Sequence, residues 1–442
     1  MKKITFFAVF YLAFLSITAG QGLCDDRFLC QCSEIKSFKG VEYRTAPDFS
    51  GNDLKLKLDI YTADDKFAAS KRPTIIFVHG GAFVSGDKTD FAPACEAFAK
   101  LGYTTATVQY RLGYPGSANT CNAANWPEMK KAFYRAVQDA GSAVNFLVDN
   151  AGKYNVDPDN IVLMGYSAGA VTVLHTAYCK QAEMDKYDPS IVTNLGLLPI
   201  LKTKLKGVVS LAGFLGSIDF LDDSDKDIPL LMFHGTCDYV VGYNAANCLP
   251  ICFSSFPVVY GSLPIAEKAK TLGMPYQFIT YCGQGHDLLP PLSAPVTCST
   301  TSFIQNNLLC AQPIGTSVLS YIPTGNAAAC TSCIKPPVAS VNIPAANCGA
   351  ACSAASNYCK TSSVEDPWFG GITLYPNPVD QVLSLDYGDD LSIQKAWIIN
   401  ALGQTEPVVI TNNNISTAKY GKGMYWLKLQ TNQGEFILKF VK

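Results

Sequence analysis

Histidine is scarce in this chain: four residues in 442, at His79, His175, His234 and His286. Any chemistry that needs an imidazole must therefore use one of these four. Charge is scarce too. Only 16% of residues are Asp, Glu, Lys or Arg, and the net charge is −2. That balance gives no basis for binding nucleic acid or an anionic membrane surface. The chain also lacks a hydrophobic run long enough for a membrane span of about 20 residues. The longest, Ile4 to Ile17, follows Lys2 and Lys3 and leads into Thr18-Ala19-Gly20. A basic start, a short apolar run and small residues predict a signal peptide over 1–20, with a soluble mature N-terminus near Gln21.

Other residues are plentiful. The apolar fraction of 48% suffices for a large core, and the length predicts two or three structural pieces. Seventeen cysteines fit export to an oxidising compartment, and the odd number predicts at least one unpaired or intermolecular thiol. Cys330 and Cys333 are spaced as a C-x-x-C pair, read here as a disulfide rather than zinc ligands.

The most informative segment is Gly165-Tyr166-Ser167-Ala168-Gly169. It lies between the apolar run Ile161–Met164, which reads as a buried strand, and Ala170-Val171-Thr172-Val173-Leu174, which reads as a helix start. Strand, G-x-S-x-G and helix is the setting of a nucleophile elbow, whose glycines leave room for a sharp turn. In such a turn the serine needs an acid and then a histidine later in the chain. His79 precedes it, and His175 lies about two helical turns beyond it, pointing away. His234 follows Pro229-Leu230-Leu231-Met232-Phe233 and reads as a strand-end structural residue. His286 remains, after Tyr276–Tyr281 and Gly283-Gln284-Gly285. Asp238, in the loop after His234-Gly235-Thr236-Cys237, is the candidate acid, with Asp219, Asp222 and Asp223 as competitors. Upstream, Thr74–Val78 ends in His79-Gly80-Gly81-Ala82-Phe83, where glycines let backbone N–H groups approach a developing oxyanion.

Taken together these motifs, with Tyr110-Arg111-Leu112, Gln138-Asp139-Ala140, Tyr154-Asn155-Val156-Asp157-Pro158 and Gly285-His286, resemble a serine carboxylesterase of the α/β-hydrolase superfamily. The branch is that of the hormone-sensitive-lipase-like and type-B esterases, and the resemblance covers roughly residues 38–311. It implies catalytic Ser167, Asp238 and His286, and an oxyanion hole from Gly81, Ala82 and Ala168. It implies no cofactor and no metal. Ala82 departs from the third glycine of many relatives but keeps its N–H. Two alternatives share the core: a secreted prolyl-oligopeptidase-like peptidase and a non-catalytic hydrolase-fold adhesion protein. The intact set of triad residues argues against the second. The short stretch before the first core strand argues against the first, whose members usually carry a large N-terminal propeller.

The pattern along the chain predicts an α/β-hydrolase fold over 21–311, with a mostly parallel sheet and helices on both faces. Strands are expected at Ile75–Val78, Thr104–Val108, Ile161–Met164, Val208–Ala212 and Leu230–Phe233. Helices are expected at Cys95–Leu101, Met129–Asn150, Lys268–Leu272 and, closing the domain, Ser302–Leu309. Long loops at 113–127, 180–202 and 239–260 are expected to build the substrate pocket. Cys237 and Cys282, at neighbouring strand ends, are expected to form a disulfide.

Residues 312–367 are rich in Cys, Ala and Pro and read as a linker. Beyond it, Leu383, Leu385 and Tyr387, then Tyr425, Leu427 and Leu429, then Phe436, Leu438 and Phe440 follow period two. Asn432-Gln433-Gly434 marks a hairpin, and 368–442 is predicted to be a small all-β sandwich. Leu374-Tyr375-Pro376-Asn377-Pro378, Asn400-Ala401-Leu402-Gly403-Gln404, Gly421-Lys422-Gly423-Met424-Tyr425 and the terminal Lys439-Phe440-Val441-Lys442 resemble the C-terminal sorting domain of the type IX (Por) secretion system. A carbohydrate-binding accessory domain is the alternative. The expected partners are a small or polymer-linked ester and the secretion machinery, with no nucleic acid. The expected location is secreted, across the outer membrane or on the cell surface.

Overall fold

The computed structural model describes residues 34–64, 71–115, 126–247, 256–281, 283–286, 294–305, 316–321, 373–375, 379–387, 391–400, 405–421, 424–432 and 434–442. The signal-peptide expectation, and the cysteine-rich stretch up to 372 apart from 316–321, lie outside these residues. Strands β1 (Ile35–Pro47), β2 (Asp53–Ala63), β3 (Arg72–Val78), β4 (Thr104–Val108), β5 (Val156–Tyr166), β6 (Gly207–Leu211) and β7 (Leu230–Gly235) build most of one large sheet. A short ribbon, β8 (Ala245–Asn247) with β9 (Val258–Tyr260), stands apart from it, and β10 (Tyr276–Tyr281) and β11 (Thr316–Tyr321) complete it. Its order is β1-β2-β4-β3-β5-β6-β7-β10-β11. From β4 to β11 the pairings are parallel, whereas β1 and β2 join antiparallel.

Period-two alternation divides the apolar side chains between two cores. Ile76, Val78, Leu163, Val208, Met232 and Phe278 face one side. Ile75, Phe77, Val162, Val209, Phe233 and Ile279 face the other. Each face needs a helical cover, because a parallel sheet leaves neither side to water. The covering helices, in chain order, are α1 (Ala92–Lys100), α2 (Trp126–Asp149), α3 (Ala151–Tyr154), α4 (Ala168–Tyr178), α5 (Gln181–Tyr187), α6 (Pro189–Leu195), α7 (Ser262–Leu272) and α8 (Ala294–Ile304). Helices α2, α4 and α7 pack on the first face, and α1 and α8 on the second. The chain therefore has the α/β-hydrolase-like fold, and parallel β3, β5, β7 and β10 all end along one edge.

Several elements differ from the sequence expectation: α7 starts at Ser262 rather than Lys268, and the stretch 180–202 expected as a loop holds α5 and α6. The closing helix runs Ala294–Ile304 and starts earlier than Ser302. Its apolar stripe is interrupted by Thr297, Thr300 and Thr301, which are buried all the same. Strand β11 lies inside the stretch read as linker, where it pairs in parallel with β10 from Tyr276↔Thr316 to Tyr281↔Tyr321. An edge strand pairs on one side only, so Thr316-Ser317-Val318-Leu319-Ser320-Tyr321 carries a weak strand signal.

Beyond residue 372, β12 (Thr373–Tyr375), β13 (Val382–Asp386) and β16 (Asn414–Ser416) form one antiparallel sheet. A second sheet holds β14 (Ile393–Asn400), β15 (Thr405–Val408), β17 (Met424–Thr431) and β18 (Gly434–Val441). Leu383, Leu385 and Ile415 of the first meet Ile398, Leu427, Leu429 and Phe440 of the second in one core. That is a small sandwich, with Thr431 paired to Gly434 at the expected hairpin.

Candidate functional site

Strand β5 and helix α4 meet at Ser167, which has φ 54° and ψ −122°. A non-glycine residue adopts such angles only when its surroundings enforce them. Two neighbours do so. A Cβ on Gly165 would lie 2.3 Å from the Gly169 carbonyl oxygen, and one on Gly169 would lie 1.9 Å from that of Val78. Only glycine fits at either position, so the turn can close tightly. The Ser167 N–H donates to Leu211 O at the end of β6 (2.9 Å), pinning the turn to the sheet.

His286 reaches this serine from the loop after β10. Its Nε2 lies 2.8 Å from Ser167 Oγ, and its Nδ1 lies 2.8 Å from Asp238 Oδ2. With the carboxylate on Nδ1, that nitrogen carries the hydrogen, and Nε2 is left to accept from the serine hydroxyl. The ring is held from both sides of the chain. Tyr166 stacks on it at 5.5 Å and donates its hydroxyl to His286 O (2.9 Å).

Asp238 is buried at the end of β7. Its Oδ1 accepts from the N–H groups of Val240 and Val241, both at 2.8 Å. Burial pushes its carboxyl up, but hydrogen bonds and charge from His234 and His286 outweigh burial and hold it well below the usual carboxylate range. The competing acids are elsewhere. Asp219 sits in the short helical turn Ile218–Phe220, and Asp222 caps the turn Asp223–Asp225 by accepting from Ser224 N (2.8 Å).

The His79–Phe83 loop arrives beside the serine from β3. A Cβ on Gly80 would lie 3.2 Å from Ser167 Cβ. Gly81, Ala82 and Phe83 take φ values of 110°, 52° and 64°, so three successive residues sit in left-handed conformations. Among the described residues, the N–H groups of Gly81, Ala82 and Ala168 have no hydrogen-bond partner, which leaves them for a bound anion or oxyanion. The loop is braced from behind. Tyr110 donates its hydroxyl to His79 O (2.9 Å) and stacks on the His79 ring, and Gly113 N donates to Phe83 O (2.7 Å). Burial lowers the pKa of His79, keeping that ring neutral.

Three further residues support this arrangement without having been expected to. Arg111, between Tyr110 and Gly113, donates from Nε to Asp139 Oδ2 at 2.8 Å, and both are buried. This ion pair fixes the segment that braces the His79–Phe83 loop. Each of the two is a charged residue with apolar neighbours, but nothing in either segment names the other as its partner. His234 is the second, with Nε2 3.3 Å from Asp238 Oδ2. His175 is the third. It is buried, its Nδ1 lies 2.7 Å from Val171 O, and its Nε2 accepts from Gly216 N at 3.1 Å. Burial lowers its pKa to about 4. Its ring lines an apolar hollow with Trp126, Phe133, Tyr187 and Phe220, and Phe133 packs at 4.4 Å on Phe83 of the His79–Phe83 loop. Cys237, beside Asp238, is disulfide-bonded. Its expected partner, Cys282, lies outside the described residues.

Residues 58–222 match the BD-FAE family model, and residues 373–442 match the model of the secretion system C-terminal sorting domain. The two matched stretches do not overlap, the first lying in the large-sheet region and the second in the C-terminal sandwich. Gut esterase 1 of Caenorhabditis briggsae is 30% identical over 147 residues, or 32% of this chain and 25% of that protein. A probable isoprenylcysteine alpha-carbonyl methylesterase of Arabidopsis thaliana is 25% identical over 267 residues, or 53% of this chain and 49% of that one. The chain thus spans between a quarter and a half of the length of these curated relatives. Among solved structures, native esterase 2 of Thermogutta terrifontis aligns with 20% identity and a TM-score of 0.41, covering 67% of this chain and 96% of that one.

Proposed function

We propose that this BD-FAE protein is a secreted serine esterase that hydrolyses carboxylic esters through an acyl-enzyme on Ser167. The observation that carries the reading is the unbroken Ser167–His286–Asp238 chain, with 2.8 Å at both links, ending on a serine in a strained turn. In this mechanism His286 Nε2 takes the serine proton as Oγ attacks the ester carbonyl carbon. The tetrahedral oxyanion is met by the N–H groups of Gly81, Ala82 and Ala168. His286 then passes its proton to the departing alkoxide oxygen, and the C–O bond to the alcohol breaks. Water repeats the sequence: His286 removes its proton, the hydroxide oxygen bonds to the acyl carbon, and Ser167 Oγ leaves with the proton from His286. Asp238 stays ionised throughout, orienting the ring and stabilising its charged form.

The sorting domain supports export by the type IX route, with the secretion machinery as its partner and the cell surface or medium as its destination. Catalysis is assigned wholly to residues before 290. The test is hydrolysis of acyl esters of graded chain length, together with acetyl and feruloyl polysaccharide esters, by the purified protein. Measurable turnover that disappears in Ser167→Ala supports the reading, and undiminished turnover in that variant contradicts it.

A further inference from the structure

We propose that His234 is a positioning residue for Asp238, fixing the carboxylate against His286 and sharing the oxygen that His286 uses. The inference rests on the triad reading above. His234 is wholly buried at the end of β7, and both of its ring nitrogens are engaged. Nδ1 lies 2.8 Å from the Ser262 hydroxyl at the start of α7. Nε2 lies 2.9 Å from Val241 O and 3.3 Å from Asp238 Oδ2. Both of those partners are acceptors, so Nε2 carries hydrogen and Ser262 fixes the other nitrogen. A ring held at both ends cannot turn over.

The geometry closes a loop. Val241 N donates to Asp238 Oδ1 while Val241 O accepts from His234. His234 therefore grips both the acid and the backbone that binds the acid's other oxygen. Asp238 Oδ1 then accepts from Val240 and Val241 and Oδ2 from His286, while His234 Nε2, hydrogen-bonded to Val241 O, stands 3.3 Å from that same Oδ2. A histidine that merely fills space would not need its Nε2 edge beside the oxygen that receives His286, with its donor bonded to the loop that holds the acid.

Among the described residues, the other groups facing this pair are few. Tyr243 packs edge-on against the His234 ring at 5.6 Å, α7 offers only the neutral Ser262, and Tyr166 stacks on His286. Removing the His234 donor leaves more of the carboxylate charge to His286. The His286 imidazolium then becomes more stable, and the acid limb of kcat/KM moves to higher pH. At the same time the acid loses a support, so kcat falls.

The experiment compares wild type, His234→Phe, His234→Gln, Ser262→Ala and Ser167→Ala in the full chain, using a simple acyl ester. The Phe variant is expected to lose about tenfold in kcat with KM within about twofold, and its acid limb to rise by about half a pH unit. The low-field Nδ1 proton resonance of His286 should move further downfield. Gln, which keeps an N–H donor near the Nε2 position, should bring the limb back toward wild type, and Ser262→Ala should shift it partway. If the Phe variant does not fold, the Gln and Ser262→Ala profiles and resonances decide the matter. A drop in kcat with limb and resonance unmoved would mean a purely structural histidine and overturn the proposal, as would no change at all. Activity persisting in Ser167→Ala would instead remove the triad reading on which it stands.

Discussion

The turn at Ser167 and the loop at Asp238 present two members of the Ser167–His286–Asp238 hydrogen-bonded chain but are built in different ways. The turn is set by what is absent. Cβ atoms at Gly165 and Gly169 would strike backbone oxygens at 2.3 and 1.9 Å, one in the turn itself and one on β3, so steric exclusion shapes it. The acid loop is set by what is present: two backbone donors from Val240 and Val241 and two imidazoles from His234 and His286. Strain in the turn is local and conformational. Order in the loop depends on partners up to 48 residues away, as with His286. A turn of the first kind tolerates no added atom, and a loop of the second kind fails by losing one partner at a time.

The variants that separate the two span a wide range of effects. Ser167→Ala removes the attacking atom and should lower ester hydrolysis by roughly 10⁴-fold or more in kcat. Asp238→Asn should cost nearly as much, about 10³- to 10⁴-fold, because the amide reverses one donor–acceptor pair against His286. Asp219→Asn should stay within about twofold by the same assay, since that residue lies in a surface turn. Equal losses for Asp219 and Asp238 would contradict the choice of acid. Gly169→Ala tests the turn itself. Its new methyl meets the Val78 carbonyl, so calorimetry should show more than about 3 kcal/mol of lost stability, or no folded protein.

A smaller effect concerns His175, which anchors the helix behind the turn. Its pKa in the folded protein is about 4, against an ordinary 6.5. The unfolded chain therefore binds more protons between those values, and stability is lost as pH falls from 6.5 toward 4. The loss amounts to at most about 3 kcal/mol. Thermal unfolding at pH 7 and pH 5 should show a drop in Tm that is reduced in His175→Leu. The smallest effect is expected from deletion. A chain ending near residue 366 should hydrolyse soluble esters at the wild-type rate, because the sandwich core is separate from the two cores of the large sheet.

Sequence reading reached the turn more easily than the loop for the same physical reason. A glycine that admits no Cβ leaves a mark at its own position, so Gly165-Tyr166-Ser167-Ala168-Gly169 announces a strand-to-helix turn by itself. With four histidines in the chain, order leaves His175, His234 and His286, and their positions relative to the helix and strands single out His286. The alternation of Leu383, Leu385, Leu427 and Leu429 was legible likewise, because period two is a local pattern. What stayed hidden depends on contacts between distant segments. His234 looks like any strand-end residue until α7 brings Ser262 to one nitrogen and the acid loop closes on the other. Arg111 and Asp139 carry no local sign that they pair. Strand β11 was obscured because an edge position asks little of its side chains.

The most direct measurement is covalent labelling of the intact protein with an organophosphonate ester, followed by mass spectrometry of its peptides. If Ser167 is the nucleophile, one phosphonyl group per chain should appear, on the peptide containing Ser167, with activity lost in proportion. Ser167→Ala should take up none. A label on another residue, or an unlabelled Ser167 in an enzyme that the reagent has inactivated, would contradict the account.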